Sequence, residues 1–179
     1  MIIAIGGSAG GGKTSVANAL ARKLGYKRYS GGDMMRSFAH EQGITLEELH
    51  QQAKSDPNFD RQVDEQLKRI GEKEDNFVID SRLGFFFIPH SIKIYLDAEL
   101  KIRAKRTMEK ARFEECPEDL KEAMRLLEKR AENDAARYEK LYGVNPFEHE
   151  HYDLVIDTSK NTVEQTTEQI YRFIKSKVG

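Results

Sequence analysis

The stretch "MIIAIGGSAGGGKTS", residues 1–15, limits what this chain can fold into more than any other. Ile2–Ile5 form a continuous apolar, largely β-branched run ended by glycine, the pattern of a strand buried on both faces. From Lys13, "KTSVANALARKLG" places Val16, Ala17, Leu20, Ala21 and Leu24 at helical spacing and closes at Gly25. Between strand and helix, Gly7 to Thr14 match G-x-x-x-x-G-K-[ST], in the strand-loop-helix context that gives the match meaning. Glycines let the backbone wrap around a phosphate, so that successive N–H groups and the helix N-terminus point at it. Gly7, Ser8, Ala9, Gly10, Gly11, Gly12, Lys13, Thr14 and Ser15 are therefore the expected contacts of a nucleoside triphosphate. Lys13 would reach its β- and γ-phosphates and the Thr14 hydroxyl would coordinate Mg²⁺.

The rest of the chain repeats the alternation. "YKRYS" leads to Asp33, read as the N-cap of a helix through "MMRSFAHEQG" that stops at Gly43. Thr45 opens a capping box in "TLEE", and after Pro57 the residues Phe59, Val63, Leu67 and Ile70 recur at helical steps. "NFVIDSR" and "SIKIYLDA" read as buried strands separated by "LGFFFIPH". Helical periodicity returns from Glu99 and again from about Glu118 to Tyr142, through Leu120, Met124, Leu127, Ala131, Ala135 and Tyr138. "YDLVIDTS" is a last strand, and Val163 to Val178 a last helix with Ile170 and Ile174 inward. Strands separated by helices imply parallel pairing in a three-layer α/β/α fold. Nothing marks a second domain, so residues 1–179 are read as one. Residues 107–119, where the periodicity lapses and Pro117 interrupts, are the candidate flap.

Composition removes several classes of partner. The net charge is −1, so the global basic field of a nucleic-acid binder is missing, and no polymer partner is expected. The apolar runs "IIAI" and "FFFI" are far shorter than the roughly 20 residues that span a bilayer. No membrane association is expected, and the location is read as cytoplasmic. A single cysteine, Cys116, in the polar stretch "RFEECPED", excludes an internal disulfide and reads as an incidental surface thiol.

A triphosphate loop alone does not separate switch from enzyme. A GTPase needs a base-reading N-K-x-D; "DTSKN", residues 157–161, has the lysine without the pattern. The chain instead places arginines where a second phosphate could sit: Arg36, Arg82, Arg103, Arg106, Arg130 and Arg137. Asp80 and Arg82 follow a strand's C-terminal end, where α/β folds bind ligands. Arg130, Asp134 and Arg137, at i, i+4 and i+7, share one helix face, with Asp134 placed to orient both guanidinium groups. Positioned cations suit phosphoryl transfer, which asks for charge neutralisation more than for covalent chemistry.

On these residues the chain resembles the nucleoside monophosphate kinases, and among them the short, archaeal-type cytidylate kinases. The likeness rests on "GGSAGGGKTSVANALARKLGY", "YSGGDMMRSFA", "VIDSRLG" and "KRAENDAARYEKLYGVN". The last, an Arg-x-x-x-Asp-x-x-Arg-Tyr run followed by Tyr-Gly-Val, is the most specific. Ser81 stands where that family has glycine, and the extra acceptor-binding insert of the longer bacterial enzymes is absent.

The resemblance implies a P-loop kinase fold with a parallel central sheet and a small helical lid and acceptor region, the lid at about residues 103–137. It implies a phosphotransferase of the CMP/dCMP kinase type, with ATP as donor and Mg²⁺ as cofactor; a monomer is expected, and the sequence leaves the oligomeric state open. Arg36 and Arg82 would bind the acceptor monophosphate with Asp33 and Asp80 nearby; Lys13, Arg130, Arg137 and Arg106 would close on the transferring group. Asp80 is open between two roles, acceptor contact and Mg²⁺ through water. Two further readings stay beside this one: another small P-loop kinase with a different monophosphate or a hydroxylated metabolite as acceptor, and a nucleotide-binding sensor without turnover. His149 and His151 lack a third ligand nearby in sequence and are not read as a metal site. Phe85, Phe86, Phe87, Tyr138 and Tyr142 are read as core or acceptor-pocket wall.

Overall fold

The computed structural model describes residues 1–45, 48, 49, 52, 58–109 and 117–178. Five strands form one sheet: β1 (Ile2–Gly7), β2 (Lys27–Ser30), β3 (Phe77–Asp80), β4 (Ile92–Asp97) and β5 (Leu154–Asp157). All neighbours are parallel, in the order β2-β3-β1-β4-β5. The helices are α1 (Lys13–Leu24), α2 (Gly31–Glu41), α3 (Asn58–Lys73), α4 (Gly84–Phe87), α5 (Leu100–Glu109), α6 (Leu120–Tyr142) and α7 (Val163–Val178).

The period of two along β1 sorts its side chains between two cores. Ile3 and Ile5 face Val16, Ala17, Leu20 and Ala21 of α1 and Ile170 and Ile174 of α7. Ile2 and Ala4 join Phe77 and Ile79 of β3 and Leu67 of α3 on the opposite side. That is the three-layer arrangement expected of a strand apolar on both faces. A third helical unit, α5 with α6, buries Ala104, Ala123 and Leu127 and packs them against Ala9 of the glycine loop. Among the described residues no helix is long and apolar enough to cross a membrane.

Three local readings change. "YKRYS" contains a strand, β2, exposed at its start and carrying too few apolar residues to show a period. Asp33 is not the N-cap of the second helix: Ser30 is, its hydroxyl accepting from the Asp33 N–H at 3.3 Å. The two glycines after Ser30 enter the helix, which moves Asp33 into its first turn. "LGFFFIPH" holds a single helical turn, α4, too short to carry a periodic signal. The expected stop at Gly43 is present as a Schellman turn, with Gly43 N–H on the His40 carbonyl and Ile44 N–H on that of Ala39. Thr45 and Glu48 make both hydrogen bonds of the capping box. Pro57, the Phe59 side chain, Cys116 and residues 110–116 of the expected flap lie outside the described residues.

Candidate active site

The glycine loop is shaped by what surrounds it. Gly7 has φ 128°, and a Cβ there would lie 2.0 Å from the Leu96 carbonyl oxygen of β4, so only glycine fits. Gly12, at φ 96°, precedes α1 and supplies no capping side chain, and the first turn of α1 carries no acid. Neither a capping side chain nor an acid of α1 itself therefore occupies the positive end of its dipole. Lys13 folds back over the loop, donating to the carbonyls of Gly7 at 2.7 Å and Ser8 at 2.8 Å. Burial, with the positive charges of Arg82 and Arg130 added, pulls the Lys13 ammonium down to about 7 against the opposing pull of Asp80 and Asp134.

Beside the loop, the Thr14 hydroxyl donates to Asp80 Oδ2 at 2.9 Å. Asp80 ends β3, next to β1 in the sheet, and is buried. Ser30, directly opposite in β2, donates to the same Oδ2 at 3.4 Å. Arg28, two residues earlier on the same side of β2, holds Oδ1 through Nη2 at 2.9 Å and Nε at 3.2 Å. Burial pushes the Asp80 carboxyl up, against Arg28 and Thr14, which favour its charged form. The Thr14 hydroxyl and an adjacent carboxylate make a hard, all-oxygen donor pair that fits Mg²⁺.

On the other side, α6 brings its acid down onto β3. Asp134 Oδ2 is 2.9 Å from Arg82 Nη1, and Asp134 Oδ1 is 3.2 Å from Arg137 Nη2. Arg137 also donates to the Tyr138 hydroxyl at 2.9 Å and lies over that ring at 4.7 Å. Spacing along the helix linked Asp134 to Arg130 and Arg137; the structure adds Arg82 and thereby ties α6 to the end of β3. Arg130 makes itself felt at Lys13.

The first turn of α2 forms the remaining wall. Asp33 pairs with Arg36 on the surface and accepts from Arg28 Nη1 at 3.2 Å. Burial alone would raise the Asp33 carboxyl, but the hydrogen bond and charge of Arg36, followed by those of Arg28, hold it below the usual carboxylate range. A Cβ on Gly31 would lie 3.0 Å from Ser81 Oγ, so the start of α2 packs directly on the turn between Asp80 and Arg82.

Lys13, Thr14, Asp80, Arg82, Arg130, Asp134 and Arg137 thus belong to one constellation, with Asp33 and Arg36 at its edge. Arg106 is placed elsewhere: Nη1 and Nη2 donate to the Thr158 hydroxyl at 3.0 Å and carbonyl at 2.7 Å. The Thr158 hydroxyl in turn lies 3.0 Å from the Gly11 carbonyl, behind the loop. Sequence reasoning missed Arg28 and Thr158. Arg28 was hidden because β2 was not recognised; once it is a strand, the period of two puts Arg28 with Ser30. Thr158 had no local signal. His149 and His151 pack on aromatic rings, His149 against Tyr95 and His151 stacked on Phe85 at 4.9 Å. Phe85 and Tyr138 are core, whereas Phe86 is exposed.

A family model described as the cytidylate kinase-like family matches residues 2–160. The chain is similar to a cytidylate kinase of Natronomonas pharaonis, with 35% identity over 162 residues, 89% of this chain and 82% of that protein. To a cytidylate kinase of Archaeoglobus fulgidus it is 33% identical over 178 residues, 99% of this chain and 96% of the other. Among solved structures, an uncharacterized protein from Eubacterium ventriosum superposes with a TM-score of 0.73 at 23% identity, covering 98% of this chain and 99% of that one. A shikimate kinase from Acinetobacter baumannii, in complex with shikimate, gives 0.67 at 20% identity over 99% and 94%. The structural likenesses bear on the fold.

Proposed function

The chain belongs to the cytidylate kinase-like family, and on that premise we propose that it transfers the γ-phosphoryl group of ATP to CMP or dCMP. The observation that carries this reading is the glycine loop with Lys13 folded over it and Thr14 paired with Asp80, beside the Arg82–Asp134–Arg137 cluster. Such a site is built for the negative charge of a transferring phosphoryl group.

The loop from Gly7 to Ser15 holds the triphosphate, and Lys13 leaves the Gly7 and Ser8 carbonyls for the β- and γ-oxygens. Thr14 and Asp80 are the residues that would hold Mg²⁺, which neutralises charge on those oxygens when bound. Asp80 is assigned to this duty because its Oδ2 sits on the Thr14 hydroxyl. Arg36 and Arg82, flanked by Asp33, take the acceptor's phosphate. An acceptor phosphate oxygen attacks the γ-phosphorus, the bond to the β–γ bridging oxygen breaks, and ADP leaves. The acceptor oxygen is already ionised at neutral pH, so no protein base is required. Arg130 and Arg137 serve the transition state, oriented by Asp134, and residues 103–137 act as the lid that brings them in. Arg106, committed to Thr158 beside Gly11, serves the donor side.

ADP formation from ATP and Mg²⁺ is the test, with CMP, dCMP, UMP, AMP, GMP and shikimate as separate acceptors. CMP and dCMP should give the highest kcat/KM. Turnover with another acceptor alone would reassign the substrate, and acceptor-independent binding without ADP formation would make the protein a sensor.

A further inference from the structure

Arg28 lies inside the edge strand β2, beside β3, which Asp80 ends. Its guanidinium is shared between two carboxylates, with Nε and Nη2 on Asp80 and Nη1 on Asp33. Those carboxylates belong to different halves of the site. Asp80 receives the Thr14 hydroxyl of the donor loop, and Asp33 pairs with Arg36 at the start of α2. Thr14, Asp80, Arg28, Asp33 and Arg36 therefore form an unbroken polar chain from donor side to acceptor side, with Arg28 at its centre. The geometry points to Arg28 as a positioning residue that couples donor and acceptor binding, an inference that rests on the assignment of the two sites above.

The sign of the coupling follows from charge. An acceptor phosphate competes with Asp33 for Arg36. Asp33, deprived of Arg36, draws Arg28 more strongly, and the hold of Arg28 on Asp80 slackens. The Asp80 carboxylate is then freer to meet the cation that accompanies the donor. In the reverse direction, positive charge arriving at Thr14 and Asp80 repels Arg28 toward Asp33 and releases Arg36 for the acceptor. Each route makes the second ligand bind more tightly, and linkage requires the two effects to be equal. The inner link is the stronger conductor: the Arg28 and Asp80 side chains are 20% and 6% exposed, against 58% and 52% for Arg36 and Asp33. Charges in the less polar environment interact with less screening. An ion pair that merely fastens β2 to β3 would give no coupling at all.

Titration calorimetry of CMP, with and without saturating Mg²⁺ and a non-hydrolysable ATP analogue, tests this on the wild type, Arg28→Met and Asp33→Asn. The wild type should bind CMP at least ~5-fold more tightly when the donor analogue is present, within the usual range of site-site coupling. In Arg28→Met that factor should fall to about one, while the analogue alone still binds. Asp33→Asn cuts the chain on its other side, keeps Arg28 in place, and should lose the coupling too. It keeps the inference testable even where Arg28→Met folds poorly. Coupling unchanged in either variant, or absent from the wild type, overturns the role of Arg28 and leaves the proposed function standing. A wild type that binds none of the monophosphates removes the functional reading and this inference with it.

Discussion

On the proposed function, Lys13 is the loop residue that reaches the transferring phosphoryl group. Replacing it by alanine removes the only lysine on the triphosphate loop and should lower kcat by at least ~10³, the scale of other single cationic contacts to a transferring phosphoryl group. Circular dichroism should show the fold intact, because Lys13 is held by loop carbonyls and not by a core contact. Its titration adds a second expectation. The folded-state value of about 7 lies below the ordinary 10.5, so between those limits the unfolded chain binds more protons than the native one. Stability of the ligand-free protein should therefore rise with pH through that window. The melting temperature should climb between pH 7 and 9 in the wild type relative to Lys13→Met, and parallel curves for the two proteins would remove the argument. Binding of ATP restores the charge on Lys13, so at pH 8.5 calorimetry in buffers of different ionisation heat should report proton uptake. Gly7 and Lys13 were legible from the motif alone, because the phosphate-binding pattern lies within eight consecutive residues, Gly7 to Thr14. Arg28 was not, since its importance comes from Asp80, 52 residues away in sequence.

At the scale of elements, α6 is the piece whose meaning changed most between sequence and structure. Its hydrophobic stripe and the i, i+4, i+7 spacing of Arg130, Asp134 and Arg137 were readable; its caps, Asp119 at the start and Gly143 at the end, are added by the structure. The spacing did not show that Asp134 reaches across to Arg82 on the β3 end. With two guanidinium groups left without their shared carboxylate, Asp134→Ala should cost about 3 kcal/mol, the lower end for a disrupted buried pair because both arginines keep some solvent. That corresponds to a fall in melting temperature of about 6–12 °C for a chain of this size. Arg130→Ala and Arg137→Ala test the other half of the assignment. Both should depress kcat and kcat/KM together by orders of magnitude with KM nearly constant, the pattern of contacts made only in the transition state. Unaltered kcat in both variants would leave α6 as a structural brace. β2 and α4 escaped the sequence reading for different reasons: β2, Lys-Arg-Tyr-Ser, lacks the apolar run that made the equally short β3 and β5 readable, and α4 is a single turn that displays no helical period.

The whole molecule is a sheet with two unequal faces, and the site sits where its strands end. Leu20 on α1 is fully buried in the larger core, behind the loop and out of reach of either nucleotide. Leu20→Ala should cost about 2–5 kcal/mol through lost burial and the cavity left behind. Turnover measured well below the melting temperature should stay near that of the wild type, and a parallel loss of kcat would mean that the loop depends on core packing. Saturating ATP should recover part of the lost stability, about 2.7 kcal/mol at a hundred times Kd. Periodicity, glycine placement and capping act over a few residues, and they sufficed for the α/β class, the triphosphate loop, the helix ends at Gly25 and Gly43, and the candidate cations. The strand order β2-β3-β1-β4-β5 was decided only in three dimensions. By setting β2 beside β3 and β3 beside β1, that order places Ser30 and Arg28 on Asp80 and Asp80 on Thr14. Likewise the docking of α5 and α6 commits Arg106 to Thr158 and Asp134 to Arg82. Such pairings depend on which strand ends become neighbours, and that is settled by burying both faces of the sheet, a global condition that no local stretch of the chain records.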